Sequence, residues 1–103
     1  MALALVTRTT RTDSDQHLEL TFERFPIRIG RNQLNDLHID HPSISQSHAT
    51  VDVRDRRIVV RDLGSTNGTI VNGQRLARDT PVDITATPEI TVGAFVIRFT
   101  LEG

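Results

Sequence analysis

The chain has 103 residues, no cysteine, and 12 basic against 13 acidic residues, for a net charge of -1. The missing cysteine excludes a disulfide framework, a thiol nucleophile and Cys-ligated zinc, and it fits a reducing, cytoplasmic setting. The balanced charge lacks the basic excess that general polyanion binding needs, so nucleic acid is not an expected partner.

The length is that of one domain, 1–103, with room for one hydrophobic core. All 12 basic residues are Arg, which suits bidentate phosphate recognition; as a coding bias it points to a bacterial source. The opening stretch is apolar only from Ala2 to Val6 before Thr7 and Arg8. That is too short for a signal peptide or a membrane span, so direct membrane contact is not expected and a first strand is predicted near 2–8.

Period-two alternation then recurs along the chain. Leu18, Leu20 and Phe22 share one parity and Phe25, Ile27 and Ile29 share another, which predicts strands near 17–22 and 25–30. Leu37 and Ile39 mark a short strand at 37–39 from which Asp36, His38 and Asp40 project outward. Together with His41 these form the one metal-like cluster, and a solvated edge is the simpler reading.

Ala49, Val51 and Val53 predict a strand near 48–54, and Asp55-Arg56 turns it into a second near 57–62. Asn67-Gly68 and Asn72-Gly73, dipeptides tolerant of positive φ, flank a short strand at 69–71. Strands near 82–84, 90–92 and 95–101 complete the series, the last two carrying Ile90, Val92, Phe95, Ile97 and Phe99. No window of eleven or more residues shows an apolar stripe at helical spacing. Many short strands with regular turn signals predict an all-β antiparallel sandwich or barrel.

The chemistry is concentrated in the turns. Arg31 follows a strand ending at Ile29-Gly30, where Gly30 permits a tight turn and the guanidinium offers a planar fork. Ser45 and Thr66 bring hydroxyl donors from separate loops, and the Asn67 amide can both donate to and accept from a peptide backbone. Such a set answers a phosphorylated side chain, which carries about -1.5 to -2 charges and three acceptor oxygens.

Gly30-Arg31, Ser45-x-x-His48, the run from Asp62 to Thr69 and Val71-Asn72-Gly73 together resemble the forkhead-associated (FHA) domain, over roughly residues 25–101. The resemblance implies an FHA-like (SMAD/FHA type) β-sandwich of eleven strands that binds phosphothreonine peptides through the loops at one end. It implies Arg31 and Ser45 as the main phosphate ligands, Thr66 as a further hydroxyl contact and Asn67 as the grip on the peptide backbone. Gly30, His48, Gly64 and Asn72 match loop-shaping positions, and Gly68 and Gly73 close the turn dipeptides. Gln46, beside Ser45, is a further candidate peptide-binding residue and stands where the family often carries Arg, Lys or Asn; Arg31 is then the one cation in the immediate site unless Arg28, Arg75 or another arginine leans in.

The expected function is a non-catalytic binding module for a phosphothreonine-containing protein or peptide, made so by an upstream Ser/Thr kinase, with no cofactor or metal. The module has room to be part of a longer protein. The alternative is a phosphate-independent scaffold or oligomerisation domain, which the neutral Gln46 favours. Ser45, His48 and Asp62 can be listed as a hydrolase triad, but no strand-to-helix nucleophile elbow accompanies them. His48, opening the alternation of Ala49, Val51 and Val53, reads as a hydrogen-bonded structural histidine and not as a base.

Overall fold

The structure, a computed structural model, describes residues 3–103 as eleven β-strands without a helix. Six strands form one sheet in the order β2 (His17–Phe22), β1 (Ala4–Arg11), β11 (Phe95–Glu102), β10 (Glu89–Val92), β7 (Thr69–Val71) and β8 (Gln74–Arg75). Five form the other, in the order β4 (Leu37–His38), β3 (Ile27–Gly30), β5 (Ala49–Arg54), β6 (Arg57–Asp62) and β9 (Val82–Asp83). The predicted sandwich is present, and its pairing is antiparallel throughout the first sheet. The second departs from the antiparallel expectation once: β3 and β4 run parallel, Ile29 beside Leu37.

Alternation places the core. Leu5, Ile90, Val92, Ile97 and Phe99 face Ile27, Ile29, Val51, Ile58 and Val60, all buried, as period-two side chains of two stacked sheets must be. Fully burying such a side chain contributes about 1.5–3 kcal/mol. The parity fails at Leu18, which is 52% exposed. β2 is an edge strand with β1 as its single neighbour, and Leu18 borders an open groove of about 370 Å³ with Leu37, Ile39 and Phe95.

The first strand runs Ala4–Arg11; Ala2, in the predicted 2–8 segment, lies outside the described residues. β1 turns Thr7 and Thr9 inward with Leu5, so two of its three buried side chains are polar and its end was not visible as an apolar pattern. The strand missing from the sequence reading is β8, whose two exposed residues carry no apolar signal. Tertiary pairing makes it: Asn72 and Gly73, at φ of 51° and 77°, form a two-residue turn that folds Gln74 and Arg75 back on Val71 and Ile70. Asp55 and Arg56 turn the β5–β6 hairpin as predicted, at φ of 50° and 61°. Asn67-Gly68 closes no hairpin, since only Gly68 has positive φ there.

The pairings set the position of the loops. Ile29 pairs with Ala49, and Ala49 pairs with Asp62, so the end of β3, the start of β5 and the end of β6 share one end of the sandwich. Thr69 pairs with Val92, so the loop before β7 and the turn after β10 adjoin in the same way. Among the described residues no helix is long and apolar enough to cross a membrane.

Candidate functional site

The end of β3 is pinned to the loop before β5 by backbone. Arg31 N–H donates to the Ser45 carbonyl at 2.9 Å, Asn32 N–H to that of Gln46 at 3.2 Å, and His48 N–H to that of Ile29 at 2.9 Å. Gly30 makes this approach possible: a Cβ there would run into the Gln46 carbonyl oxygen and stand 2.6 Å from Asn35 Nδ2. Asn35 Nδ2 locks the same place, donating to the carbonyls of Asn32 and Gln46 at 2.8 Å each. Arg31 spends its Nε–H on the Ile44 carbonyl at 3.0 Å. Among the described residues no carboxylate pairs with it; the ion pairs involve Arg11, Arg54, Arg57, Arg78 and Arg98. Its terminal nitrogens are therefore held in place with their charge uncompensated.

Ser45 and Thr66 meet directly: the Thr66 N–H donates to Ser45 Oγ at 2.9 Å. With its oxygen accepting there, the Ser45 hydroxyl is left to donate its own proton outward. Behind it His48 is fully buried. Its Nδ1 accepts from the Ser45 N–H at 3.1 Å and its Nε2 lies 2.8 Å from the Gly68 carbonyl. This network assigns the neutral tautomer protonated on Nε2. Burial holds the His48 pKa below 6.5, against the opposing pull of the Gly68 carbonyl and the Asp62 charge. Neither ring nitrogen is left over for Ser45 Oγ, so the hydrolase-triad arrangement is not made.

Asp62 anchors the second loop from below. Its buried carboxylate accepts from Ser65 Oγ at 2.6 Å, Thr69 Oγ1 at 2.9 Å, Gly64 N–H at 2.8 Å and Ser65 N–H at 3.2 Å. Burial alone would raise its pKa, but these four donors outweigh it and hold the group below the ordinary 3.8. Arg75 secures the outside of the loop, its Nη2 donating to the carbonyls of Ser65 and Thr66 at 3.1 and 3.2 Å. Asn67 reaches across to the first loop, its Nδ2 donating to the Ser43 carbonyl at 2.8 Å. The Asn67 Oδ1 and its second amide hydrogen remain for a ligand. Ser43 in turn is tied by its Oγ to the Ala94 N–H at 3.0 Å and to His41 Nδ1 at 2.8 Å.

Arg31, Ser45, Thr66 and Asn67 thus converge on the single stretch from Ser43 to Gln46. Gln46 contributes through its carbonyl, and its side chain is exposed. Gly30, Gly64, Gly68 and His48 lie within this framework. Asn72 and Gly73 do not: they turn β7 into β8 at the far end of β7, where Asn72 Nδ2 reaches Thr87 Oγ1 at 3.2 Å. Among the described residues the acidic and histidine cluster brings no three potential metal ligands together. Asp36 instead accepts the Arg28 N–H at 2.8 Å, and the His41 ring packs edge-on to Phe95 at 5.2 Å.

Sequence reasoning missed the residues that hold these loops: Asn35, Ser43, Ser65 and Thr69. Two had a local signal, Asn32-x-x-Asn35 and Asp62-x-x-Ser65, both spacings at which short polar side chains bond nearby backbone. Arg75 is named by the sequence only as a cation that can lean in; its contacts to loop carbonyls nine and ten residues back in the chain carry no local signal.

A family model, that of the FHA domain, matches residues 27–93. A segment of 55 residues is 44% identical to the protein phosphatase 1 regulatory inhibitor subunit PPP1R8 homolog of Arabidopsis thaliana, covering 52% of this chain. The matched segment spans 15% of that relative's length. The fold superposes on the FHA domain of CT664 from Chlamydia trachomatis with a TM-score of 0.76 at 21% identity, covering 94% of this chain and 96% of that one. It also superposes on EmbR of Mycobacterium tuberculosis, solved in complex with a low-affinity phosphopeptide, with a TM-score of 0.72 at 25% identity over 92% of this chain and 24% of that one. A match over most of the chain, carried on the sandwich whose loops gather Arg31, Ser45, Thr66 and Asn67 at one end, makes this protein a member of the FHA domain family.

Proposed function

We propose that the chain is a binding module for phosphothreonine peptides, recruited to partners that a Ser/Thr kinase has modified in the cytoplasm. In this reading residues 1–103 form one FHA-like module, and the peptide lies extended across the loops at the Arg31 end. The observation that carries it is the pairing of an uncompensated guanidinium with a hydroxyl whose oxygen is already engaged by a backbone N–H. Arg31 offers charge, Ser45 and Thr66 offer hydroxyl donors, and Asn67 offers an acceptor and a donor to the peptide backbone. EmbR, solved in complex with a phosphopeptide, supports the phosphopeptide reading for a fold of this kind.

Two facts bear on strength. Gln46 adds no charge, and Arg28 projects from β3 with its N–H bound to Asp36 and no ion-pair partner among the described residues. Affinity is therefore moderate and rests on few charged contacts. Isothermal titration of a degenerate phosphothreonine peptide library tests the reading: binding is expected for the phosphorylated pool and lost after phosphatase treatment. Binding that survives phosphatase treatment assigns the surface to a phosphate-independent scaffold instead.

A further inference from the structure

Arg75 lies outside the set that the loops present, yet it is wired to that set through one peptide group. Its Nη2 donates to the Ser65 carbonyl at 3.1 Å, and the N–H of that same peptide, belonging to Thr66, donates to Ser45 Oγ at 2.9 Å. A trans peptide points its carbonyl and its N–H in opposite directions. A cation on the carbonyl side polarises the group and strengthens the hydrogen bond on the other side. Arg75 is thus two hydrogen bonds away from Ser45 Oγ.

The same nitrogen also takes the Thr66 carbonyl, at 3.2 Å. Both peptide planes flanking Thr66 are therefore fixed with their oxygens toward Arg75. The Thr66 N–H turns to the opposite side, where Ser45 lies. The guanidinium sits close because residue 68 is glycine: a Cβ at Gly68 would stand 2.6 Å from Arg75 Nε and 2.9 Å from its Cδ. Arg75 takes part in none of the ion pairs among the described residues, so its charge is uncompensated and within a Debye length of about 8 Å, at physiological salt, of the groups it orients.

We propose that Arg75 is the second cation of this site, a positioning residue that sets the Ser45 hydroxyl as a donor through the Ser65–Thr66 peptide and offsets the missing charge at Gln46. Resting on the phosphothreonine reading above, it explains how a site with one arginine at its centre balances a dianion. Arg75 does not touch the ligand; it acts through Thr66 and Ser45.

The test uses Arg75→Met, which keeps an unbranched stem over Gly68, and Arg75→Lys, which keeps the charge. Two measurements are made on the whole chain. One is titration with the phosphothreonine peptide library at several salt concentrations. The other is amide hydrogen exchange of the free protein. Arg75→Met is expected to weaken binding about tenfold, as loss of one charged hydrogen bond does, and to make its salt dependence shallower. Arg75→Lys restores the salt dependence. In Arg75→Met the Thr66 amide exchanges faster, while the Gly64 amide, held by Asp62, keeps its protection.

Affinity of Arg75→Met within twofold of the parent overturns the proposal. So does a loss of affinity that leaves the salt dependence unchanged and removes Gly64 protection as well, since that is collapse of the loop. If the parent itself binds no phosphothreonine peptide, the functional reading fails, and Arg75 is judged on exchange alone: unchanged Thr66 protection in Arg75→Met refutes its positioning role, and faster exchange sustains it.

Discussion

His48 Nε2 and the Gly68 carbonyl lie 2.8 Å apart across twenty residues of sequence. The same ring accepts the Ser45 N–H at Nδ1, so one buried imidazole joins the two loops that carry Ser45 and Thr66. Its role is to hold donors in place, and it can do so only while neutral.

The stability of the fold is therefore expected to fall on mild acidification. Because the His48 pKa is lowered in the folded chain, the unfolded state binds the proton more readily. The contribution of the neutral ring is complete above 6.5 and is lost as pH falls from that value toward the folded pKa. His48→Ala leaves the Ser45 N–H and Gly68 carbonyl without partners beside a cavity, costing roughly 2–4 kcal/mol. Urea denaturation at several pH values checks both, the variant showing the flatter profile between pH 5 and 7, on the order of the ordinary histidine range.

Asp62→Ala is expected to be among the most damaging single changes. Four donors lose their acceptor, two of them backbone N–H groups in the loop that presents Thr66, and leaving buried donors unsatisfied costs about 1–3 kcal/mol each before relaxation. Because the folded pKa of Asp62 is lowered, its contribution is present above 3.8 and is lost as pH falls through the folded value. Thermal melts of the variant and acid titration of the parent read this out.

In the binding loops, Arg31→Ala and Ser45→Ala are expected to weaken phosphothreonine-peptide affinity by roughly tenfold to a hundredfold or more, from charged hydrogen bonds of about 1.5–3 kcal/mol. Asn72→Ala should bind as the parent does, because Asn72 sits at the far end of β7 and contacts Thr87. Affinity should also fall below about pH 6, as the phosphate becomes a monoanion. Calorimetry on the three variants separates a local site from a general loss of structure.

Arg56→Gly should stabilise the fold. Arg56 holds φ of 61° in the β5–β6 turn, a conformation costing a non-glycine residue about 1–2 kcal/mol. Glycine removes that strain but gives back part of it through the greater entropy of the unfolded chain, for a net gain of about 0.5–1 kcal/mol. A rise in melting temperature without change in peptide affinity is the expected result.

Much of the sandwich could be read from the chain because alternation is a local property. Ala49, Val51 and Val53, or Ile97 and Phe99, declare their buried face in a few residues. β8 could not be read this way, since Gln74 and Arg75 join a sheet only through the turn at Asn72-Gly73. Leu18 failed for a related reason: its parity is that of a buried residue, but burial depends on an opposing layer that an edge strand need not have.

The order of residues was enough to establish the class of fold and to single out Arg31, Ser45, Thr66 and Asn67, since turn chemistry and spacing are written in neighbouring letters. Folding settled which atoms of those side chains stay available. Ser45 keeps its proton to donate because Thr66, twenty-one positions on, occupies its oxygen; Arg31 is aimed by the Ile44 carbonyl, and Arg75 enters through two carbonyls behind Thr66. A hydrogen bond is satisfied by whatever group is near in space, so the state of a donor belongs to the assembled loops and not to any stretch of sequence.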